Sequence, residues 1–175
     1  MSIYQNNLII RRPTVADRKT ILEMIEEYQE ADSSTSGLWN FANNQDKFEG
    51  WIESNFLQET GLLGKGIPAI QLVAFDDQNQ ALGFLNIRLR LDQELLSTGG
   101  HIGYSVRPSK RGRGIAKKML KEAIAIAATK NIQNILVTCH QDNQASRAVI
   151  LANGGVFENS IDETERYWIK SYEQS

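Results

Sequence analysis

Cysteine is nearly missing: Cys139 is the only one in 175 residues, which excludes an internal disulfide and fits a reducing, cytoplasmic setting. Histidine is almost as scarce, with His101 and His140 alone, and no metal site is expected. No stretch approaches the roughly 18 apolar residues of a membrane span, and the apolar run in MSIYQNNLIIRRP is too short for a secretory signal. Net charge is also small, at −2, which argues against a general nucleic-acid binder and against a membrane partner. What remains is ordinary for a globular protein: 41% apolar and 23% charged residues, in a length that makes one domain over 1–175.

Against that neutral background, one stretch stands out. RPSKRGRGIAKKML (107–120) gathers Arg107, Lys110, Arg111, Arg113, Lys117 and Lys118 around Gly112 and Gly114. The cluster is local, so it points to one small anion. A strand precedes it: GHIGYSVRP (100–108) alternates apolar and polar residues. A helix follows it, with Ile115, Ala116, Met119, Leu120, Ala123, Ile124 and Ala127 forming a buried stripe. A helix starting near Arg113 presents unpaired N–H groups and the positive end of its dipole. Glycine there lets phosphate oxygens approach the backbone. A diphosphate fits this better than a single carboxylate. GLLGKGIP (61–68) is no rival phosphate loop, because it lacks the four-residue gap and no hydroxyl follows Lys65.

The remaining elements read as follows. Strand 8–12 ends at Pro13, and Thr14 caps a first helix; a second runs from Asp46 to about Thr60. Strands 69–75 and 81–91 form a hairpin, residues 92–98 connect, and 134–140 is a fifth strand. Helix 143–153 ends at Gly154 and Gly155, and VFENS with RYWIKS makes a last hairpin. The strand–helix–strand unit around 100–140 predicts that strands four and five run parallel.

Arg111-x-x-Gly114-x-Ala116 after a strand ending Val106-Arg107-Pro108 resembles the acetyl-coenzyme A motif of the GNAT superfamily of N-acetyltransferases. Asn143 opens the next helix about thirty residues on and NGGVF (153–157) closes it, again as in that family. The resemblance implies an α/β (α+β) GNAT acyl-CoA acyltransferase fold. That fold is a mostly antiparallel mixed sheet with one parallel βαβ unit, its strands four and five splayed, and about four helices. It implies acetyl-CoA as co-substrate and the primary amine of a small molecule or peptide as acceptor. A homodimer is common in the family. The rival is a catalytically weak or inactive acyl-CoA-binding sensor.

Family position also implies roles. Backbone N–H groups of Arg111, Gly112, Arg113, Gly114, Ile115 and Ala116 would hold the pyrophosphate, and the edge Tyr104, Ser105, Val106 would pair with the pantetheine arm. Asn143 and Ser146 would contact that arm from the facing helix, Asn143 doubling as an N-cap. Many members carry a tyrosine acid in that helix; here the position is Ile150. A thiol of pKa about 8.5 leaves without much help, so its loss slows but does not forbid transfer. Tyr104, Cys139 or water remain as acids. His101 is the expected base, near the start of strand four, with His140 a loop or cofactor contact. Trp39 and Phe41 either wall the acceptor site, as that region often does in the family, or cover the core; Glu27 and Glu30 either attract a cationic acceptor or form a solvated helix face.

Overall fold

Seven strands and four helices follow one another in the expected order in the computed structural model, which describes residues 8–41, 47–64 and 66–173. β1 (Ile9–Arg11) leads through a 3-10 turn at Val15–Asp17 into α1 (Arg18–Glu30). Asp17 explains that late start: its carboxylate accepts the Thr14 N–H at 2.8 Å and pairs with Arg11, so the chain turns before the α-helix proper begins. α2 spans Phe48–Thr60 and ends at Gly61, whose φ of 76° allows the left-handed cap. The expected helix start at Asp46, like Lys65, lies outside the described residues.

β2 (Ala69–Phe75) and β3 (Ala81–Arg88) form the hairpin, and both are buried on both faces. β3 stops at Arg88, short of residue 91, and the 92–98 connection contains a π-turn at Leu95–Gly99. Then come β4 (Ile102–Val106), α3 (Ile115–Thr129), β5 (Asn134–His140), α4 (Gln144–Ala152), β6 (Val156–Ile161) and β7 (Thr164–Lys170).

The strands make two antiparallel sheets, ordered β1-β2-β3-β4 and β5-β7-β6. α3 packs on one face of the first sheet and reaches the second. Its stripe, Ile115, Met119, Leu120, Ala123, Ile124 and Ala127, is buried with Leu85, Ile87, Ile135 and Val137. Each large apolar side chain so buried stabilises by about 1.5–3 kcal/mol. α1 and α2 cover the opposite face, where Met24, Tyr28 and Trp51 meet Val73, Phe75 and Phe84. The result leaves β4 and β5 side by side at the seam, on a common core but in different sheets. Among the described residues no helix is long and apolar enough to cross a membrane.

Candidate active site

His101 and Leu136 tie the two sheets together at the start of β4. His101 N–H donates to Leu136 O at 2.7 Å, and Leu136 N–H donates to His101 Nδ1 at 2.9 Å. Beyond it no ladder joins β4 to β5, so the strands splay. On β4, Arg107 N–H donates to Leu82 O at 2.7 Å, which puts the odd-numbered backbone groups towards β3. By alternation, the N–H and C=O of Tyr104 and Val106 turn into the gap.

A cleft fills that gap in two adjoining compartments. The first, about 470 Å³, is bounded by Tyr104, Ser105 and Val106, by Arg111, Gly112, Gly114, Ile115 and Ala116, and by Asn143 and Ser146. The second, about 530 Å³, shares Tyr104, Asn143 and Ser146 and reaches Gly37, Leu38, Arg88, Gly103, Cys139 and His140.

The anion end is built from backbone. Gly114 is the N-cap of α3, and both Gly112 and Gly114 have φ of 77°, a left-handed conformation that side chains disfavour. A Cβ at either would meet nothing within 4 Å, so open space lies before the first-turn N–H groups. That space suits a diphosphate, and Lys110 and Lys117 border it. Arg111 has a further job: its Nε donates to Val106 O at 3.0 Å and its Nη2 to Ser33 Oγ at 2.6 Å, tying the loop after α1 to β4. Arg113 is not on the cleft lining.

Arg107 is a correction. It does not belong to an anion-facing cluster; it is buried, with Nε 2.6 Å from Glu27 Oε2 and Nη1 donating to Ala81 O at 3.1 Å. Glu27 also accepts the Ser109 N–H at 2.6 Å, so its carboxylate is occupied and does not wait for a cationic acceptor. Burial pushes the Glu27 carboxyl up, but Ser109 and Arg107 outweigh it and hold it below the usual carboxylate range. Glu30 sits on the exposed face of α1.

At the centre, the Tyr104 hydroxyl and Ser146 Oγ are 2.8 Å apart. Burial pushes the Tyr104 phenol up to about 12, so it keeps its proton at neutral pH. Asn143 Oδ1 accepts the Ser146 N–H at 3.0 Å, so the asparagine is an N-cap and a cleft residue at once. Tyr28 donates to Ser105 Oγ at 2.9 Å, and Ser105 Oγ donates to Ser36 O at 2.6 Å. This chain pins the Ser33–Ser36 loop across the cleft, a wall that only the fold makes visible. Cys139 faces the second compartment, its thiol pushed up to about 11 by burial and by Glu165. His140 is half-exposed there, 3.6 Å from both Asp142 and Glu163. Ile150 is wholly buried in the core.

His101 is a second correction. It lies in the seam, 6% exposed, and is not on the lining of either compartment. Its Nδ1 lone pair already accepts the Leu136 N–H, which leaves the proton on Nε2 and no nitrogen ready to take another. Burial, then the nearby Arg88 charge, lowers its pKa from 6.5 to about 4. The unfolded chain therefore binds more protons than the folded one between pH 6.5 and about 4. Stability from this site is complete above that window and drains as pH falls through it, by roughly 2 kcal/mol after solvent screening is allowed for. His101→Asn keeps an acceptor near Nδ1 without titrating. In denaturant titrations across pH 4–7 its stability is expected to be flatter than that of wild type; identical slopes would contradict this assignment.

Neither Trp39 nor Phe41 is on the lining of these two compartments. Phe41 is 6% exposed and packs edge-on against Trp51 at 5.3 Å. Trp39 N–H donates to Gln71 Oε1, and its carbonyl accepts from Trp51 Nε1, both at 2.9 Å. The wall is instead the preceding Ser34–Leu38 segment. Arg88 was also missed. The signal available was a charged residue in step with the inward positions Phe84 and Asn86.

The chain matches the family model described as "Acetyltransferase (GNAT) domain" over residues 7–156. Among curated proteins no sequence match is found. Similar solved structures include RimL, a ribosomal L7/L12 alpha-N-protein acetyltransferase in complex with coenzyme A, at 19% identity, TM-score 0.71 and 97% coverage of each chain. RimJ of Mycobacterium smegmatis matches at 19% identity and TM-score 0.69, covering 95% of this chain and 83% of that one. The microcin C7 self-immunity acetyltransferase MccE, with acetyl-CoA and AMP, matches at 17% identity and TM-score 0.69, over 95% and 94%. With a family model spanning most of its length, the chain belongs to the GNAT acetyltransferase domain family.

Proposed function

We propose that this GNAT acetyltransferase moves the acetyl group of acetyl-CoA onto a primary amine of a small molecule or peptide. The observation that carries the reading is the pair of adjoining pockets, sharing Tyr104, Asn143 and Ser146, that run from the glycine turn at 112–114 to the gap between β4 and β5. Backbone N–H groups at 112–116 hold the linked phosphates, the Arg111 N–H being donated to Pro108 O. The outward edge of β4 at Tyr104 and Val106 pairs with the pantetheine arm as an added strand would. Asn143 and Ser146 flank the arm from α4. The Val106 N–H faces the gap and is the donor for negative charge developing on the acyl oxygen. Tyr104, protonated and bonded to Ser146, supplies the proton that the thiolate takes on leaving. The hydroxyl missing from α4 at Ile150 is thus replaced from β4.

The acceptor enters the second compartment. An alkylamine has a pKa near 10, so only about one molecule in a thousand is unprotonated at pH 7. His140 lines this compartment, but its Nδ1 accepts the Asp142 N–H at 3.2 Å, so the amine's proton passes to solvent. An N-terminal amine of a protein, as in RimL, is within the proposed acceptor class.

The absent tyrosine also favours a second reading, an acyl-CoA binder with little turnover. Release of coenzyme A thiol across a panel of amines separates the two. The enzyme reading expects release well above hydrolysis for at least one amine; tight acetyl-CoA binding with no amine-dependent release would support the binder.

A further inference from the structure

Arg88 ends β3 at the floor of the second compartment. Its guanidinium lies over Gly103 of β4, where a Cβ would come within 2.9 Å of Nη1 and 3.0 Å of Nη2. Glycine at 103 is therefore what lets the group lie flat. Nη1 is buried and has no hydrogen-bond partner. Four other arginines that are buried or half-buried each hold a carboxylate: Arg11 with Asp17, Arg107 with Glu27, Arg147 with Glu165 and Arg166 with Glu158. Among the described residues none pairs with Arg88. Burial pulls its pKa down, yet a guanidinium stays charged at neutral pH. Arg88 as a whole is half-buried, and leaving a partly desolvated guanidinium without a carboxylate costs stability that a ligand's carboxylate would restore.

Its position says which ligand. Arg88 borders the second compartment and not the one that holds Gly112 and Gly114, so it is turned from the phosphate end. Around it the compartment offers hydroxyls and backbone, with Ser34, Ser36 and Thr138 on the lining. A planar fork of donors in such a site matches a carboxylate.

We propose that Arg88 selects the acceptor: it pairs with a carboxylate carried by the same molecule that presents the amine. The proposal rests on the acetyl-transfer reading, with the second compartment as the acceptor side. Two sources of that group fit, the α-carboxylate of a free amino acid and an acidic side chain beside a peptide N-terminus.

The test uses two arms with the full-length protein. One compares L-amino acids with their α-amides; the other compares Ala-Glu-Ala amide with Ala-Gln-Ala amide. Each is read both as kcat/KM for thiol release and as calorimetric binding to the enzyme–coenzyme A complex. In at least one arm wild type is expected to prefer the carboxylate by about 10- to 100-fold. Arg88→Gln should erase the preference, and Arg88→Lys should keep only part of it. Acetyl-CoA affinity should be retained in both. Arg88→Gln should also raise Tm by about 2–4 °C, because it removes an unpaired, partly desolvated charge. No preference in either arm, or a preference that survives both substitutions, would overturn the proposal. Turnover without preference sinks this inference alone, whereas carboxylate-selective binding without turnover sinks the acetyl-transfer reading, and with it acceptor selection, while leaving Arg88 as a carboxylate site.

Discussion

Gly114→Glu is expected to lower acetyl-CoA affinity at least about 100-fold, the cost of losing several charge-assisted hydrogen bonds and facing a like charge. Gly114 caps α3 at φ 77°, and its missing Cβ points into open space bordered by Lys110 and Lys117. A glutamate there fills the phosphate space and sets its carboxylate against the incoming anion. The fold is expected to survive, because a Cβ at 114 meets no protein atom within 4 Å. The left-handed conformation costs about 1–2 kcal/mol for any other residue. Gly114→Ala separates the two effects: it carries the same backbone cost without the charge, and should weaken binding far less. Calorimetry with acetyl-CoA, alongside thermal unfolding of both variants, reads the difference. Equal affinities for wild type and Gly114→Glu would remove the phosphates from this turn.

The second large effect is on stability. Glu27→Ala should cost about 1–3 kcal/mol, the range for stranding the partners of a charged hydrogen bond, because the Glu27 side chain is itself 23% exposed. Glu27 reaches from α1 to Arg107, beyond the end of β4, at 2.6 Å and to the Ser109 N–H at 2.6 Å. Its loss strands a guanidinium whose side chain is 10% exposed, with the Ala81 carbonyl its remaining acceptor among the described residues. The carboxyl titrates below its ordinary value of 4.5 when folded. The unfolded chain therefore binds more protons here just below that pH. The pair's contribution is complete above it and is lost as pH falls through the folded pKa. The acid limb of the wild-type stability curve should flatten in Glu27→Gln. The same pair holds the Pro108–Lys110 turn that leads into Gly112, so coenzyme affinity should fall with stability. Unfolding of Glu27→Ala at the wild-type denaturant midpoint would show that the pair contributes nothing.

What could be read in advance followed from short-range rules. The α3 stripe is local periodicity, and every residue in it that carries a large side chain is buried as expected. The turn at 111–116 was legible because glycines before a helix leave backbone N–H groups exposed by construction. The last hairpin, β6 and β7, followed from alternation and a turn. What could not be read was pairing across long sequence distances. Arg107 looked like one more cation in a basic run until Glu27, eighty residues earlier, was found beside it. His101 looked like a strand-end base because nothing local says that Leu136 will donate to its Nδ1. Phe41 looked exposed in its polar loop, yet Trp51 on α2 draws it into the core. Arg88 lies inside the expected strand 81–91, and nothing local says that β4 will bring Gly103 against its guanidinium.

The most direct measurement of the central claim is a titration of isotope-labelled protein with acetyl-CoA, followed residue by residue through backbone amide resonances. The account predicts the largest downfield shifts at the amides of residues 112–116, with smaller ones at Tyr104, Val106 and Ser146. Saturable binding that leaves residues 112–116 unmoved would contradict it.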